Sequence, residues 1–510
     1  MSAVNELGRR EFTRWFWRQL TSMRTALFLL MLLAIAAVPG SIVPQRSVDA
    51  RAVETYFLDH PTTAPTLDKL GLFSVYSSPW FSAIYLLLMV SLIGCIVPRS
   101  FVYYRALRAR PPGAPRNFSR LPAHTTFTTE ASVDEVLEAG RKALGRARID
   151  VVDGDDGARE LNAEKGFLRE AGNLVFHISV VVVLIGVAVG TFFGYRGTAI
   201  VTEGNGFSNT LTQYDEFGSG TLYNADDLPP FSMTLDDFTA KFQLSGPQRG
   251  APRLFRAQGA YTPEPGAAPR PYDITVNHPL AIGSTSVYLV GQGYAPIIKV
   301  TDPKGNVVFD DAVPFLPVDP TYTSNGVIKV PDAEPEQLGF QGFFLPTAVK
   351  GAGGVSVSTF PAAANPLIGL FVWHGDLGLD AGVPQSVYSL DKSKMKQYLQ
   401  PNGSGKGFRI SLSPGQETDL PDGGTVEYVS TKQFVRFQIS SSPLVEVPLI
   451  GISAGVLGLI ASLFVRPRRT WIRARREGSR TMVEVAALDR VPRDDLPAEL
   501  EDLLGRLRAQ

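Results

Sequence analysis

The sequence of 510 residues is poor in cysteine, because Cys95 is the only one. One thiol cannot form an intramolecular disulfide, and it excludes both a multi-cysteine zinc site and a Cys-x-x-Cys-His haem-attachment motif. The sequence also lacks a phosphate-binding loop and a Gly-x-Gly-x-x-Gly turn between a strand and a helix, and its Gly-x-Ser-x-Gly run, Gly451–Gly455, lies inside a long apolar stretch and not at a strand-to-helix elbow. Catalysis by a protein nucleophile is therefore not expected.

Asp, Glu, Lys and Arg are absent from four long apolar stretches. A bilayer core of about 30 Å requires roughly 20 apolar residues at a rise of about 1.5 Å per residue. The first stretch follows a basic segment, as in a secretory signal, but it is longer than a signal's apolar region and no Ala-x-Ala cleavage site follows it. We predict four retained transmembrane helices: 26–43, 80–97, 174–193 and 447–465.

Basic residues are distributed unevenly over the connecting segments. Five arginines precede the first stretch, thirteen lysines and arginines lie in 99–170 and seven in 466–480, whereas 44–78 contains three. The long segment 196–446 has 17 basic and 24 acidic residues. Because short cytoplasmic segments of membrane proteins are enriched in Lys and Arg, both termini are predicted to be cytoplasmic in a multi-pass protein of the cell membrane. The resulting topology is a cytoplasmic N-terminus 1–25, an outer loop 44–79, a cytoplasmic segment 98–173, an extracytoplasmic domain 194–446 and a cytoplasmic tail 466–510.

The cytoplasmic segment 98–173 combines a basic, proline-rich linker with a small α/β unit. Ser132-Val-Asp-Glu135 has the pattern of a helix capping box, and apolar residues recur after it at helical spacing. Strand-like runs at 125–129, 148–152 and 159–163 flank this helix. In the tail, leucines between Leu496 and Leu507 indicate an amphipathic helix that either docks a partner or packs on this unit.

The segment 194–446 is predicted to be all-β, a sandwich or an open barrel, because short β-rich runs alternate with Gly- and Pro-containing turns. Together with the apolar stretches, this gives the expected fold class: four transmembrane α-helices, a large extracytoplasmic β domain and a small cytoplasmic α/β unit. The strand candidates are 198–202, 231–235, 274–276, 284–290, 296–301, 307–310, 408–412, 425–430 and 434–439.

Of the five histidines, only His177 lies within an apolar stretch, about 10 Å along the helix from Glu170 at the usual rise. Ionisable side chains are costly inside a membrane and usually mark a functional site. An imidazole with a free nitrogen in an apolar wall suits axial ligation of haem iron, and Asn173, one turn earlier, is a candidate hydrogen-bond partner for the other nitrogen or for a haem propionate. The alternative is a structural histidine bonded to a neighbouring helix. This residue by itself does not decide between the two.

The other four histidines have simpler expected roles. His60 and His374 are interpreted as solvated surface residues, His124 as a structural residue beside a strand, and His278 as part of a loop containing Pro279.

Several segments, in this order, resemble the ResB family of System II cytochrome c maturation. They are Ser22-Met-Arg-Thr-Ala26 with Gly40-Ser-Ile-Val-Pro-Gln45, Ala163 to His177 with Gly186, Val276-Asn-His-Pro-Leu280 with Gly283 and Gly291-Gln-Gly-Tyr294, and Arg468-Arg-Thr-Trp471. The order and spacing of these segments extend over nearly the whole chain.

This resemblance implies a subunit of a cytochrome c synthase that helps to carry haem across the membrane and presents it with apocytochrome c. His177 would be an axial ligand of a transient, non-covalent haem b shared with a CcsA-type membrane partner. The five tryptophans are scattered, so the tryptophan-rich haem-binding segment is expected in that partner, and thiol-reducing proteins would act on apocytochrome c. The chain would then be a non-catalytic or co-catalytic subunit of a haem lyase complex, with no nucleic-acid partner. The alternative is a non-haem membrane receptor or assembly scaffold with an outer ligand-binding β domain.

Overall fold

The computed structural model describes residues 8–48, 50–154, 157–166, 168–379, 386–401, 403–489 and 496–508. The α-helices in these ranges are α1 Arg9–Leu20, α2 Met23–Ile42, α3 Ala50–Asp59, α4 Ala64–Lys69, α5 Pro79–Arg108, α6 Val133–Leu144, α7 Leu168–Phe193, α8 Glu446–Phe464 and α9 Leu496–Arg508. The β-strands are β1 Ala123–Thr129, β2 Arg148–Asp153, β3 Arg159–Lys165, β4 Tyr195–Thr202, β5 Gly206–Ser208, β6 Glu216–Ser219, β7 Ser232–Thr234, β8 Asp237–Phe242, β9 Pro252–Thr262, β10 Arg270–Thr275, β11 Leu280–Ile282, β12 Thr285–Thr301, β13 Val307–Ala312, β14 Leu316–Pro317, β15 Ser324–Val330, β16 Leu338–Leu345, β17 Ala348–Lys350, β18 Ser356–Ser358, β19 Leu367–Gly375, β20 Met395–Gln397, β21 Arg409–Leu412, β22 Gln416–Asp419, β23 Thr425–Ser441, β24 Arg468–Glu477 and β25 Arg480–Asp489. The chain divides into two compact units, one formed by Met1–Ala188 with Leu444–Gln510 and the other by Val189–Pro443.

Four helices in the described ranges, α2, α5, α7 and α8, are long and apolar enough to cross a membrane. Each covers one of the predicted apolar stretches to within one residue, which makes the chain a membrane protein. Two of them extend six residues or more beyond that stretch, since α5 continues past Val97 to Arg108 and α7 begins at Leu168. The difference arises because backbone hydrogen bonds continue into polar sequence that hydropathy does not mark.

The first unit contains an α/β sheet built from two distant parts of the chain. Its strand order is β1-β25-β24-β3-β2, so the predicted strands of 125–163 are joined by two strands from the tail. β3 pairs antiparallel with β24, with Lys165 opposite Arg468. The predicted capping box of α6 is confirmed, because Ser132 and Glu135 each bind the other's backbone N–H. The hydrogen bond from the Ser132 backbone holds the pKa of Glu135 below its usual range.

Helices α6 and α9 cover one face of this sheet. Leu500, Leu503, Leu504 and Leu507 of α9 are buried with Leu161 of β3, Ile472 of β24 and Val136 of α6. The leucine pattern of the tail therefore forms the helix that the sequence indicated, and this helix packs on the chain's own sheet.

Glycines bring the backbones of α7 and α8 into contact. A methyl group built on Gly458 would lie 2.7 Å from the carbonyl oxygen of Gly172 and 2.8 Å from the backbone nitrogen of Phe176. Further along the pair, one built on Gly451 would lie 2.7 Å from the Val183 side chain. Small residues commonly permit such close helix packing in membranes. These contacts fix which side of α7 faces α8.

The second unit is β-rich, as predicted, and its sheets are open and packed against one another. β12 and β23 are each 17 residues long and pair along their length. The sequence analysis divided each into two shorter strands, because Gly291, Gly293 and polar residues interrupt the apolar pattern where the register shifts. The Gly- and Pro-containing turns expected between strands occur between β12 and β13 and between β22 and β23.

Two apolar cores stabilise the second unit. In the first, Ile298 and Tyr428 of the long strand pair pack against Phe340 and Leu370 of the sheet containing β15, β16 and β19. The second core lies between the other half of the long pair and the sheet containing β5 and β7–β10. One central sheet therefore supports both layers.

Alanine at Gly458 is expected to destabilise the α7–α8 pair, whereas alanine at Gly455 is not. Replacing glycine by alanine in a helix gains about 1 kcal/mol of propensity, but overpacking costs about 1–3 kcal/mol. At Gly455 the added methyl would lie 3.4 Å from the Ser179 side chain, an ordinary contact. Thermal unfolding in detergent should show a lower Tm for Gly458→Ala and an equal or higher Tm for Gly455→Ala. An unchanged Tm for Gly458→Ala would contradict the backbone contact.

Candidate functional site

His177 lies on α7, next to the face that contacts α8, and its side chain is half-buried. Its Nδ1 is 2.7 Å from the backbone carbonyl oxygen of Asn173. A carbonyl oxygen only accepts hydrogen bonds, so Nδ1 carries the proton and donates it. The neutral ring then has its lone pair on Nε2, which is the nitrogen that can bind a metal.

Asn173 was a candidate to bond the second nitrogen of His177, or a propionate, through its side chain. In the structure the acceptor is the main-chain carbonyl instead. A histidine four residues after a helical carbonyl lies over the preceding turn, where that oxygen is within reach. The ring orientation is therefore set by the helix itself and not by the amide side chain.

Two aromatic rings lie beside the imidazole. Phe176 meets it edge to face with ring centroids 5.3 Å apart, and Tyr103 of α5 is tilted against it with centroids 6.3 Å apart. His177 is the fourth residue of the apolar stretch 174–193, so the ring lies near one end of that stretch.

Arg99 is a basic residue on the helix that carries Tyr103. It precedes Tyr103 by one helical turn on the same face of α5, and its side chain is exposed. Its guanidinium is 2.9 Å from the Met23 sulfur. Tyr103 was not predicted as a neighbour of His177, because only the packing of separate helices brings the two residues together. The one available signal was a Tyr shortly after an apolar stretch.

The arrangement fits a group that needs one axial nitrogen and aromatic walls. Within the described ranges no group of three or more His, Cys, Asp or Glu side chains is placed to hold a bare metal ion. An iron held in a porphyrin needs only axial ligands from protein, and a neutral imidazole in an apolar wall is one of these. His177 can supply one axial position, and the other histidines lie elsewhere in the fold.

His60 and His374 each stack on an aromatic ring, which the sequence did not indicate. His60, directly after α3, stacks on Tyr56 with ring centroids 4.3 Å apart and is exposed. His374, on β19, is half-buried, stacks on Tyr398 at 4.3 Å and pairs with Glu336. Burial, followed by the nearby Asp422, raises the pKa of Tyr398. Each histidine thus has a stacking partner that explains its position structurally.

His124 and His278 have positions that agree with the expected structural roles. His124 is exposed on β1, with Nδ1 3.2 Å from the Leu121 carbonyl oxygen. His278 lies at the turn between β10 and β11, with Nδ1 3.3 Å from the Val276 carbonyl oxygen.

Comparison with known sequences gives a consistent assignment over most of the chain. The cytochrome c biogenesis protein CcsB of Synechococcus sp. strain JA-2-3B'a(2-13) is 24% identical to this chain, over 64% of this chain and 69% of the relative. The protein of the same name from Synechococcus sp. strain WH7803 is 28% identical, over 53% of this chain and 58% of the relative. That of Gloeobacter violaceus is 23% identical, over 60% of this chain and 64% of the relative. For these last two relatives the chain spans less than two thirds of their length. A sequence profile described as the ResB-like family matches residues 23–501, and the chain therefore belongs to the ResB-like family.

Proposed function

We propose that this chain is a cytochrome c biogenesis protein that acts as the haem-handling subunit of a cytochrome c synthase. Family membership and the name of its relatives support the pathway. The observation that carries the haem assignment is the His177 ring, whose Nδ1 is bound to a main-chain carbonyl so that Nε2 remains available. Haem b is the substrate, held transiently and without a covalent bond.

Each residue of this region would make a different contact with haem. Nε2 of His177 supplies one axial ligand, Phe176 and Tyr103 provide aromatic walls, and Arg99 balances the negative charge of a propionate. A CcsA-type membrane partner supplies the second axial ligand, because one imidazole leaves the opposite face of the iron open.

The orientation follows from the distribution of basic residues. Both termini and the α/β unit are cytoplasmic, the β-rich unit is extracytoplasmic, and His177 lies near the cytoplasmic side of the bilayer. Haem would be received there and transferred outward with the partner, while the β-rich unit presents apocytochrome c. Because Cys95 is the only thiol and its Sγ donates to the Thr21 carbonyl oxygen, other proteins must keep the apocytochrome cysteines reduced.

Replacement of His177 by alanine is expected to abolish most haem binding at this site, whereas Asn173→Ala should preserve it. The alanine at 177 removes the axial nitrogen, but an alanine at 173 keeps the carbonyl oxygen that orients the ring. The measurement is haem content and the axial-ligand signature of the absorption spectrum in the complex co-purified with the CcsA-type partner. Unchanged haem and spectrum in His177→Ala would refute the ligand assignment, and loss in Asn173→Ala would refute the main-chain orientation.

Deletion of the gene is expected to abolish holocytochrome c while apocytochrome c is still exported. The reason is that the proposed role lies in haem delivery and not in polypeptide export. Haem staining of membrane and secreted fractions, combined with immunodetection of the apoprotein, separates the two steps. Normal levels of holocytochrome c would favour a receptor or scaffold instead, and expression of the intact gene in the deletion strain is the control.

A further inference from the structure

Helix α1 has an exposed aromatic face that no other described part of the chain covers. Phe12, Trp15 and Phe16 follow one another at helical spacing, and their side chains are 52%, 50% and 52% exposed. Such large aromatic side chains rarely remain in water as a contiguous group. The surface that they form is called the aromatic face below.

The opposite side of α1 is basic apart from Trp17, which is also exposed. Arg10, Arg14 and Arg18 recur every four residues and are exposed. At 3.6 residues per turn, Arg14 lies about 200° around the helix from Phe12. A helix with arginines on one side and Trp and Phe on the other is typical of segments that lie in the plane of a membrane surface.

The end of α1 fixes its depth in the membrane. The Ser91 hydroxyl of α5 donates to the Leu20 carbonyl oxygen at 2.5 Å, and the Cys95 thiol donates to the Thr21 carbonyl oxygen at 2.8 Å. Both donors lie before Val97, so the corner between α1 and α2 contacts α5 within its apolar stretch. Cys95 is two residues, or about 3 Å, from the end of that stretch, and Ser91 six residues, or about 9 Å.

This depth matches the position of interfacial helices, whose apolar faces are buried about 5–10 Å into the boundary between headgroups and acyl chains. We propose that α1 is an interfacial helix, with its aromatic face in the acyl boundary and Arg10, Arg14 and Arg18 on the phosphates of anionic lipids. The placement of α1 at the cytoplasmic leaflet rests on the proposed orientation, in which both termini are cytoplasmic. That leaflet carries the negative surface potential that attracts clustered arginines.

Spin labels on the two sides of α1 test this placement in the full chain. Cys95→Ser, which keeps a hydrogen-bond donor to Thr21, gives a background free of cysteine for labels at Phe16→Cys and Arg14→Cys. A label at Leu30→Cys on the exposed face of α2 serves as the lipid-embedded reference. The protein is reconstituted in vesicles of phosphatidylcholine, alone or mixed with phosphatidylglycerol, and accessibility to oxygen and to an aqueous nickel complex is measured.

In the mixed vesicles, Phe16→Cys should resemble Leu30→Cys, with high accessibility to oxygen and low accessibility to nickel, and Arg14→Cys should show the reverse. Adding Arg10→Gln and Arg18→Gln to Phe16→Cys should lower the ratio of bound to free α1 by about fivefold for each arginine lost. Replacing the mixed vesicles with pure phosphatidylcholine should shift Phe16→Cys in the same direction and further, because all three arginines then lose the anionic lipid.

Two results would overturn the proposal. Equal nickel accessibility at positions 14 and 16 in mixed vesicles would mean that α1 is in water, and protection of position 16 from both reagents would mean that a protein covers it. Both leaflets have the same composition, so the outcome does not depend on the orientation of the chain. Adding His177→Ala should leave the accessibilities unchanged, which separates this proposal from the assignment of the haem ligand.

Discussion

The pairing of β3 with β24 is the constraint on which the first unit depends. It joins Lys165 to Arg468 across some 300 residues of sequence and places the start of α7 beside the end of α8. Because Gly172 and Gly458 then bring the two backbones into contact, α7 has one permitted rotation about its axis. That rotation turns Phe176 towards α8 and leaves His177 beside Tyr103. A strand pair outside the apolar layer thus determines the direction of a side chain within it.

The environment of His177 also shows how a membrane helix accommodates an imidazole. The ring's N–H is satisfied by a carbonyl of its own helix, so no polar residue from another helix is needed. The remaining nitrogen has a lone pair and an apolar surrounding. A ligand role and a low structural cost are therefore compatible in this position, since the helix itself satisfies the donor.

The sequence predicted the features that depend on local pattern. Four apolar stretches, the capping box at Ser132 and the helix around Leu503 follow from composition and spacing within one segment. It did not predict β24 and β25, because the arginines of Arg468–Glu477 resemble the basic flank of a membrane helix and the partners of these strands lie far away in sequence. For the same reason, His177 was identified as a candidate from its own helix, whereas its neighbour Tyr103 required the packing of α5.

The divided origin of the α/β sheet has a consequence for biosynthesis. β1, β2 and β3 leave the ribosome long before β24 and β25, and in the interval one edge of β3 has no strand beside it. The side chains of Leu161 and Val136 remain exposed until Ile472 and α9 have been synthesised. A chain that stops before residue 468 would keep this apolar surface and open edge exposed to chaperones and proteases. Completion of the sheet therefore distinguishes full-length chains from truncated ones.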